Sequence, residues 1–241
     1  MCTVIIDVPT DPGTPVRLVA IRDEDPNRPW NPLGNWWPEH PSILGVQDIR
    51  AGGAWLATDA DTRRLAVLLN RAGGDHLPDT AVLSRGTLPL DSVLGHSPDE
   101  RPAMRGFNLL EVDATSARVI SWDGAIRRET EIEPGIHMIA HDDVDDPATA
   151  RISHWLEHFR LAAPDARPAD GTPWYQPWLD VLARSAELGP VDDRAIIRDN
   201  RPLGYPTLSL LVCAASVGTD AVDIRYADLP APGTWGDLDL H

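Results

Sequence analysis

Short apolar runs rich in β-branched residues, separated by turn signals, recur along the chain and constrain its fold more than any other feature. Runs of this length and composition are typical of strands in antiparallel sheets. The predicted strands are residues 2–8, 16–21, 51–58, 64–70, 107–113, 117–123, 126–132, 136–140, 207–215 and 221–226. The first two pairs are expected to form hairpins, because Pro9 to Gly13 and Asp59 to Asp61 are turn sequences.

Helix signals are fewer than strand signals. The predicted helices are residues 84–95, 147–161 and 178–188. Acidic residues from Asp142 to Asp146 precede Pro147, which favours a helix start, because carboxylates stabilise the positive end of the helix dipole. Residues 25–41 are predicted to form a long loop rich in Pro and Trp, a length that usually serves a site. Strands and helices do not alternate regularly, so we expect an α+β fold in one domain, residues 1–241.

The composition excludes several classes of function. A formal net charge of −16 argues against nucleic acid as a partner, because phosphates would be repelled. All 21 basic residues are Arg, which excludes Schiff-base lysines, pyridoxal phosphate chemistry and the lysine-containing phosphate loop. No apolar run approaches the ~20 residues of a membrane span, and no secretory signal is visible. We therefore expect a cytoplasmic protein without an integral membrane segment and leave its oligomeric state open.

Cys2 is the first candidate catalytic residue. If Met1 is removed, Cys2 carries a thiol and a free α-amine, which together are a nucleophile with a base attached. The alternative is a small apolar residue buried in an edge strand. Cys213 lies in an apolar run and is expected to be inert core, and two cysteines cannot form a disulfide framework or a four-cysteine zinc site.

Histidines supply weaker candidates. His154-Trp155-Leu156-Glu157-His158 fits H-x-x-E-H, an inverted zinc-protease pattern, but both histidines are expected to lie opposite the apolar stripe of their helix and to face solvent. His137 and His141, near several aspartates, form a second metal-like group. A Ser-His-Asp hydrolase is poorly supported, because the G-x-S-x-G elbow is missing. We assign no metal ligands.

The first 71 residues resemble the NRDE family, also called the transport and Golgi organisation protein 2 family. The matching segments are Met1-Cys2, Ala20 to Glu24, Asn27 to Pro29, Trp37, Gly45 to Asp48, Ala51 to Leu56 and Leu68 to Arg71. Farther on, the similarity thins to Ser84 to Gly86 and Gly106 to Leu110. The family resembles N-terminal-nucleophile (Ntn) hydrolases, which implies a four-layer αββα sandwich of antiparallel sheets.

The resemblance also implies roles for residues. The catalytic residues would be Cys2 as nucleophile, with Arg22 and Asp23 holding and polarising the thiol and α-amine. Arg next to a thiol is expected to lower the thiol pKa. Asn70 suits an oxyanion-hole donor, although a strand-end turn residue is an equal alternative. The expected binding residues are Arg28, Trp55 and His141.

The chain departs from the family pattern at three places. Ile21 replaces the Asn of the NRDE signature, and Ala140-His141 replaces a Ser-Asn pair, so imidazole would supply a second donor. Near the C-terminus Tyr205-Pro206-Thr207-Leu208 replaces Tyr-Gly-Thr-Arg, which removes an Arg that could bind a substrate carboxylate.

Three functions stay open. The first is a Cys N-terminal-nucleophile amidohydrolase or acyltransferase that acts on a small acylated amine through a thioester and needs no cofactor. The second is a non-catalytic protein of the same fold that binds an apolar ligand such as haem, a lipid or acyl-CoA. The third is a zinc hydrolase built on the H-x-x-E-H segment.

Overall fold

The computed structural model of the chain describes residues 2–73, 78–163 and 171–241. Strands dominate these residues. They are β1 (Thr3–Val8), β2 (Val16–Glu24), β3 (Trp30–Gly34), β4 (Ile43–Asp48), β5 (Ala54–Asp59), β6 (Arg64–Asn70), β7 (Phe107–Val112), β8 (Ala117–Trp122), β9 (Arg127–Glu131), β10 (Gly135–Ile139), β11 (Leu208–Val217) and β12 (Val222–Asp228). The α-helices are α1 (Leu88–Val93), α2 (Ala150–Leu161) and α3 (Gln176–Ala186).

The strands form two antiparallel sheets. The five-stranded sheet has the order β10-β1-β2-β11-β12, and the seven-stranded sheet has the order β3-β4-β5-β6-β7-β8-β9. The seven-stranded sheet is a meander, in which each strand pairs with the next along the chain. The five-stranded sheet joins the N-terminal hairpin to the C-terminal hairpin, so residues distant in sequence meet along β2 and β11.

Apolar residues divide the molecule into four layers. The core between the two sheets contains side chains from both, such as Val4 and Ile6 of β1 and Val67 and Leu69 of β6. A second cluster packs α2 and α3 against the outer face of the five-stranded sheet. A third cluster packs α1 against the outer face of the seven-stranded sheet. The order helix, sheet, sheet, helix confirms the predicted α+β sandwich of antiparallel sheets.

Residues 25–41 differ from their prediction. They were expected to form a loop, but β3 occupies Trp30–Gly34, and β4, also not predicted, follows it. Pro32 and Gly34 weaken the strand signal in the sequence. The structure accommodates them because β3 is the edge of the seven-stranded sheet, where a Pro need not donate a hydrogen bond to a neighbour.

The helices are shorter or shifted relative to their predictions. Residues 85–87 form one 3₁₀ turn before α1, which ends at Val93. Helix α2 begins at Ala150 rather than near Pro147, because the acidic residues before it make turn contacts of their own. Asp142 accepts a hydrogen bond from the Thr149 hydroxyl at 2.8 Å, and Asp145 has a positive φ of 55°.

None of the helices in the three described segments is long and apolar enough to cross a membrane.

Candidate active site

A cavity of about 590 Å³ opens at one edge of the two sheets, where β2, β4 and β6 end and where β1 and β5 begin. Six of the seven residues predicted to form a site line this cavity: Cys2, Arg22, Asp23, Arg28, Trp55 and Asn70. Other polar residues of the lining are Glu24, Asp48, Arg50, Ser84, Arg85 and Arg105. Its volume is in the range of small-molecule sites.

Strand pairing places Cys2 beside Asp23. The register of β1 and β2 pairs Thr3 with Ile21, so the residue before β1 meets the end of β2. The Cys2 thiol donates to the Asp23 carbonyl oxygen at 3.7 Å, and its sulfur accepts from the Asp23 N–H at 3.4 Å. Met1, whose removal would free the Cys2 α-amine, lies outside the described residues.

A buried serine holds the Asp23 carboxylate. Ser209 Oγ donates to Asp23 Oδ1 at 2.6 Å and accepts from the Arg198 N–H at 2.9 Å. The pairing of β2 with β11 shifts between Ser209 and Leu211, so a bulge lies beside Asp23. Bulges next to a site re-aim side chains. Sequence reasoning missed Ser209, although a serine inside the apolar run of residues 208–215 was a visible signal.

Arg22 is buried with an incomplete set of partners. Its side chain is 2% exposed, its Nη2 lies 3.7 Å from Glu24, and its guanidinium lies over the Trp30 ring at 5.6 Å. Among the residues that the structure describes, Arg22 Nη1 has no hydrogen-bond partner. Trp55 Nε1 is likewise buried without a partner in those residues. Both residues line the cavity, and the described residues leave these two donors unused.

The thiol is not activated by its surroundings in the way the sequence suggested. Burial raises the pKa of Cys2 most, the Asp23 carboxylate raises it further, and Arg22 lowers it by less. Arg22 lowers the thiol pKa, as expected, but desolvation and the Asp23 carboxylate outweigh its effect, so the pKa of Cys2 is raised. At neutral pH the thiol is protonated and needs a base to attack.

Arg28 and Asp48 form a paired wall of the cavity. Arg28 Nε and Nη2 lie 2.7 and 2.6 Å from Asp48 Oδ2, and Asp48 Oδ1 accepts from the Ala51 N–H at 3.1 Å. The hydrogen bond and charge of Asp48 raise the pKa of Arg28 against the opposing effect of burial. Arg28 is a predicted binding residue, and its present partner is this carboxylate.

A close contact between two loops shapes the same wall. A Cβ on Gly53 would lie 2.2 Å from the Gly86 carbonyl oxygen, and Gly52 has a positive φ of 71°. No local sequence signal indicates this contact between Gly53 and Gly86. The contact brings the segment with Ser84 and Arg85 against the start of β5.

The predicted histidines lie elsewhere. His141 is outside the cavity lining, where its Nε2 lies 3.2 Å from Asp142 Oδ2 and burial lowers its pKa. His137 Nδ1 instead lies 2.7 Å from Asp145, so the two histidines have separate partners. The binding role assigned to His141 stays a prediction.

The H-x-x-E-H segment lies on α2. The rings of His154 and His158 stack at 5.8 Å, and His158 Nδ1 lies 3.1 Å from the His154 carbonyl oxygen. Both rings contact the buried Trp155 ring, with centroids 4.8 and 5.0 Å apart, so the two histidines are half-buried rather than facing solvent as expected. Within the described segments, no group of three or more His, Cys, Asp or Glu side chains could hold a metal ion.

Cys213 is fully buried, and burial raises the pKa of its thiol, as expected of an inert core cysteine.

Fold and site define a class: a sandwich of two antiparallel sheets between helices, with a cysteine-containing cavity at the edge where strands of both sheets end. The sequence model of the family described as Transport and Golgi organisation 2 matches residues 1–170, and the chain belongs to this family. A comparison with curated proteins found no match. The family match covers every strand that brings Cys2, Arg22, Asp23 and Asn70 together, but not β11, which contributes Ser209.

Proposed function

We propose that the chain is a Cys N-terminal-nucleophile amidohydrolase or acyltransferase that acts on a small acylated amine. The observation that carries the proposal is the convergence of Cys2, Arg22, Asp23 and Asn70 on one cavity. These residues come from the ends of strands in two different sheets, and β1 and β2 of one sheet meet β6 of the other at this edge.

The first half of the reaction forms a thioester. After Met1 removal, the Cys2 α-amine takes the thiol proton as the sulfur attacks the amide carbonyl. The side-chain amide of Asn70 donates to the oxyanion that develops. The amine then returns the proton to the leaving nitrogen, the C–N bond breaks, and the acyl group stays on Cys2. The raised pKa of Cys2 is consistent with these proton transfers, because a neutral thiol requires a base at the moment of attack.

The second half of the reaction releases the acyl group. Water attacks the thioester in a hydrolase, and a second amine attacks it in an acyltransferase, with the Cys2 α-amine accepting the proton in either case. The C–S bond breaks, and the Cys2 thiolate that leaves takes the proton back from the α-ammonium. Arg22 and Asp23 position the nucleophile, since Asp23 contacts the Cys2 sulfur through its backbone and its carboxylate is held by Ser209.

The alternative function is ligand binding without turnover, with haem, a lipid or acyl-CoA as the ligand. The observation that favours it is the Cys2 side chain itself, which is only 5% exposed and has a raised pKa. Such a thiol is unreactive unless the α-amine is free.

A burst experiment with a p-nitrophenyl ester of a short fatty acid tests the proposal. We expect one equivalent of p-nitrophenol per chain in the burst, from acylation of Cys2. Cys2→Ala should abolish the burst, and the matched control Cys213→Ala should keep it, because Cys213 is buried in the core away from the cavity lining. An equal burst from Cys2→Ala would reject the proposal.

A further inference from the structure

The cavity has a charge opposite to that of the chain. Its lining contains five Arg side chains and three carboxylates, whereas the chain as a whole has a formal net charge of −16. The arginines are Arg22, Arg28, Arg50, Arg85 and Arg105, and the carboxylates are Asp23, Glu24 and Asp48. A positively charged cleft on an acidic protein concentrates anions and repels cations.

The three carboxylates are already engaged. Asp48 receives two short contacts from Arg28, and Glu24 lies 3.7 Å from Arg22 and 3.9 Å from Arg28. Asp23 accepts from Ser209. These contacts engage the carboxylates with Arg22, Arg28 and a hydroxyl, and none of them uses Arg50 or Arg85.

Arg85 is the central one of these. Its Nη1 donates to the Gly106 carbonyl oxygen at 2.6 Å, and within the described part of the chain no carboxylate lies within ion-pair distance of it. Burial lowers its pKa, with Glu24 as the leading opposing charge. Arg85 is half-buried, and an accompanying anion offsets the cost of partly desolvating its guanidinium. Arg50, at the exposed rim, also has no carboxylate within that distance in the described segments.

Hydrogen-bond donors without partners also favour a ligand that supplies acceptors. Arg22 Nη1 and Trp55 Nε1 are buried in the cavity lining without a partner among the described residues. Both groups can only donate hydrogen bonds, so a complementary ligand must bring acceptors. Buried donors without partners are rare in folded proteins, and a bound ligand is one accepted explanation.

We propose that this cavity binds a substrate through an anionic group, a carboxylate or a phosphate, with Arg85 and Arg50 as its principal partners. The planar guanidinium of Arg85 offers two parallel N–H donors to two oxygens of such a group. This proposal deepens the proposed function, since it concerns the same cavity, and it names the substrate class as an acylated amine that carries an anion. Arg85 and Arg50 bind and orient this group, and neither takes part in bond breaking.

Binding to the Cys2→Ala protein tests the inference without any turnover. The probes are two matched pairs: N-hexanoylglycine against its neutral amide, and N-hexanoylphosphoethanolamine against N-hexanoylethanolamine. Titration calorimetry should show that one anionic probe binds at least about tenfold more tightly than its neutral partner, a difference of about 1.4 kcal/mol. The pair with the larger difference identifies carboxylate or phosphate. Raising the salt concentration should reduce the difference.

Arginine variants then assign the anion to its partners. Arg85→Gln should bring the anionic and neutral probes within about threefold of each other, and Arg50→Gln should lower the preference without affecting the fold, because Arg50 is exposed. The matched control is Arg225→Gln, an exposed arginine on β12 that pairs with Asp223 outside the cavity and should leave binding unchanged. If Arg85→Gln does not fold, Arg50→Gln alone decides the assignment.

The outcomes separate this inference from the proposed function. Equal binding of anionic and neutral probes would overturn the inference, as would an anion preference that both Arg85→Gln and Arg50→Gln keep. A clear preference for an anion together with no acylation of Cys2 in the unmodified chain would support the inference and reject the amidohydrolase.

Discussion

Asp23→Asn should increase the reactivity of the Cys2 thiol and decrease the free energy of unfolding of the protein. The carboxylate raises the pKa of the Cys2 thiol, so its removal should lower that pKa and increase the thiolate fraction at a given pH. Asn is similar in size and can still accept the hydrogen bond from Ser209, so the local packing is retained.

The stability cost comes from a second buried group. Arg151 is 3% exposed, and its Nη1 donates to Thr3 Oγ1 at 3.0 Å. Burial lowers the Arg151 pKa, and Asp23 is the leading charge that opposes this effect. Removing one partner from a buried pair of charges costs about 3–5 kcal/mol. Since the hydrogen bond from Ser209 can persist, we expect the lower end, about 3 kcal/mol.

Two measurements check the pair of effects. Alkylation of Cys2 by iodoacetamide between pH 7 and 10, read by peptide mass, should show an apparent pKa lower than in the unmodified protein. Urea unfolding should show the loss of stability. Glu24→Gln, a neighbouring carboxylate on the same strand, is the control and should change the alkylation profile less. A folded Asp23→Asn protein with an unchanged alkylation profile would refute the electrostatic argument.

Three further predictions concern other parts of the fold. Gly53→Ala should cost about 1–3 kcal/mol in urea unfolding, because the new Cβ meets the Gly86 carbonyl oxygen at 2.2 Å and must displace backbone. The free energy of unfolding should fall as the pH rises above about 9, because burial raises the pKa of the Cys213 thiol in the folded state and the unfolded chain loses this proton first. In urea titrations, Cys213→Ala should reduce this dependence of stability on pH. Asp145→Asn should lower the pKa of His137 in an NMR titration, because the hydrogen bond that His137 Nδ1 donates to the Asp145 carboxylate is the main cause of its raised pKa.

Each of these has a contrasting result. Gly13→Ala should be nearly neutral, since its Cβ meets nothing closer than 3.5 Å, and an equal loss in both glycine variants would contradict the close-contact argument. If Cys213→Ala leaves the pH dependence of stability unchanged, the Cys213 thiol is not its cause. Because the pKa of His137 is raised in the folded state, its contribution to stability is complete below about pH 6.5 and is lost as the pH rises through the folded pKa. If the pKa of His137 stays raised in Asp145→Asn, Asp145 is not the cause of the shift.

Local sequence signals predicted much of the fold. The strand predicted at residues 64–70 matches β6, and the N-terminal hairpin forms as expected, because turn chemistry and β-branched runs act over a few residues. The edge strand β3 was not predictable in this way, since Pro32 and Gly34 oppose a strand and only the edge position tolerates them.

The sequence predicted the site residues that lie at the ends of strands and match the motifs of the family. Cys2, Arg22, Asp23 and Asn70 all line one cavity. Ser209 was not foreseen, because it reaches Asp23 across 186 positions of sequence through the pairing of β2 with β11.

Electrostatics was the least predictable part. The direction of the Cys2 pKa depends on burial, which no local sequence pattern reveals. Whether Arg85 has a carboxylate partner among the described residues depends in the same way on which carboxylates the other arginines have paired with.

The intact mass of the purified chain after incubation with an acylated amine tests the central claim most directly. We expect the mass to lack Met1. We also expect a further species, heavier by one acyl group, which maps to Cys2 by peptide analysis and is absent from Cys2→Ala. A chain that retains Met1, with no acyl group on Cys2, would contradict the claim, because the α-amine base would then be blocked and the protonated thiol could not attack.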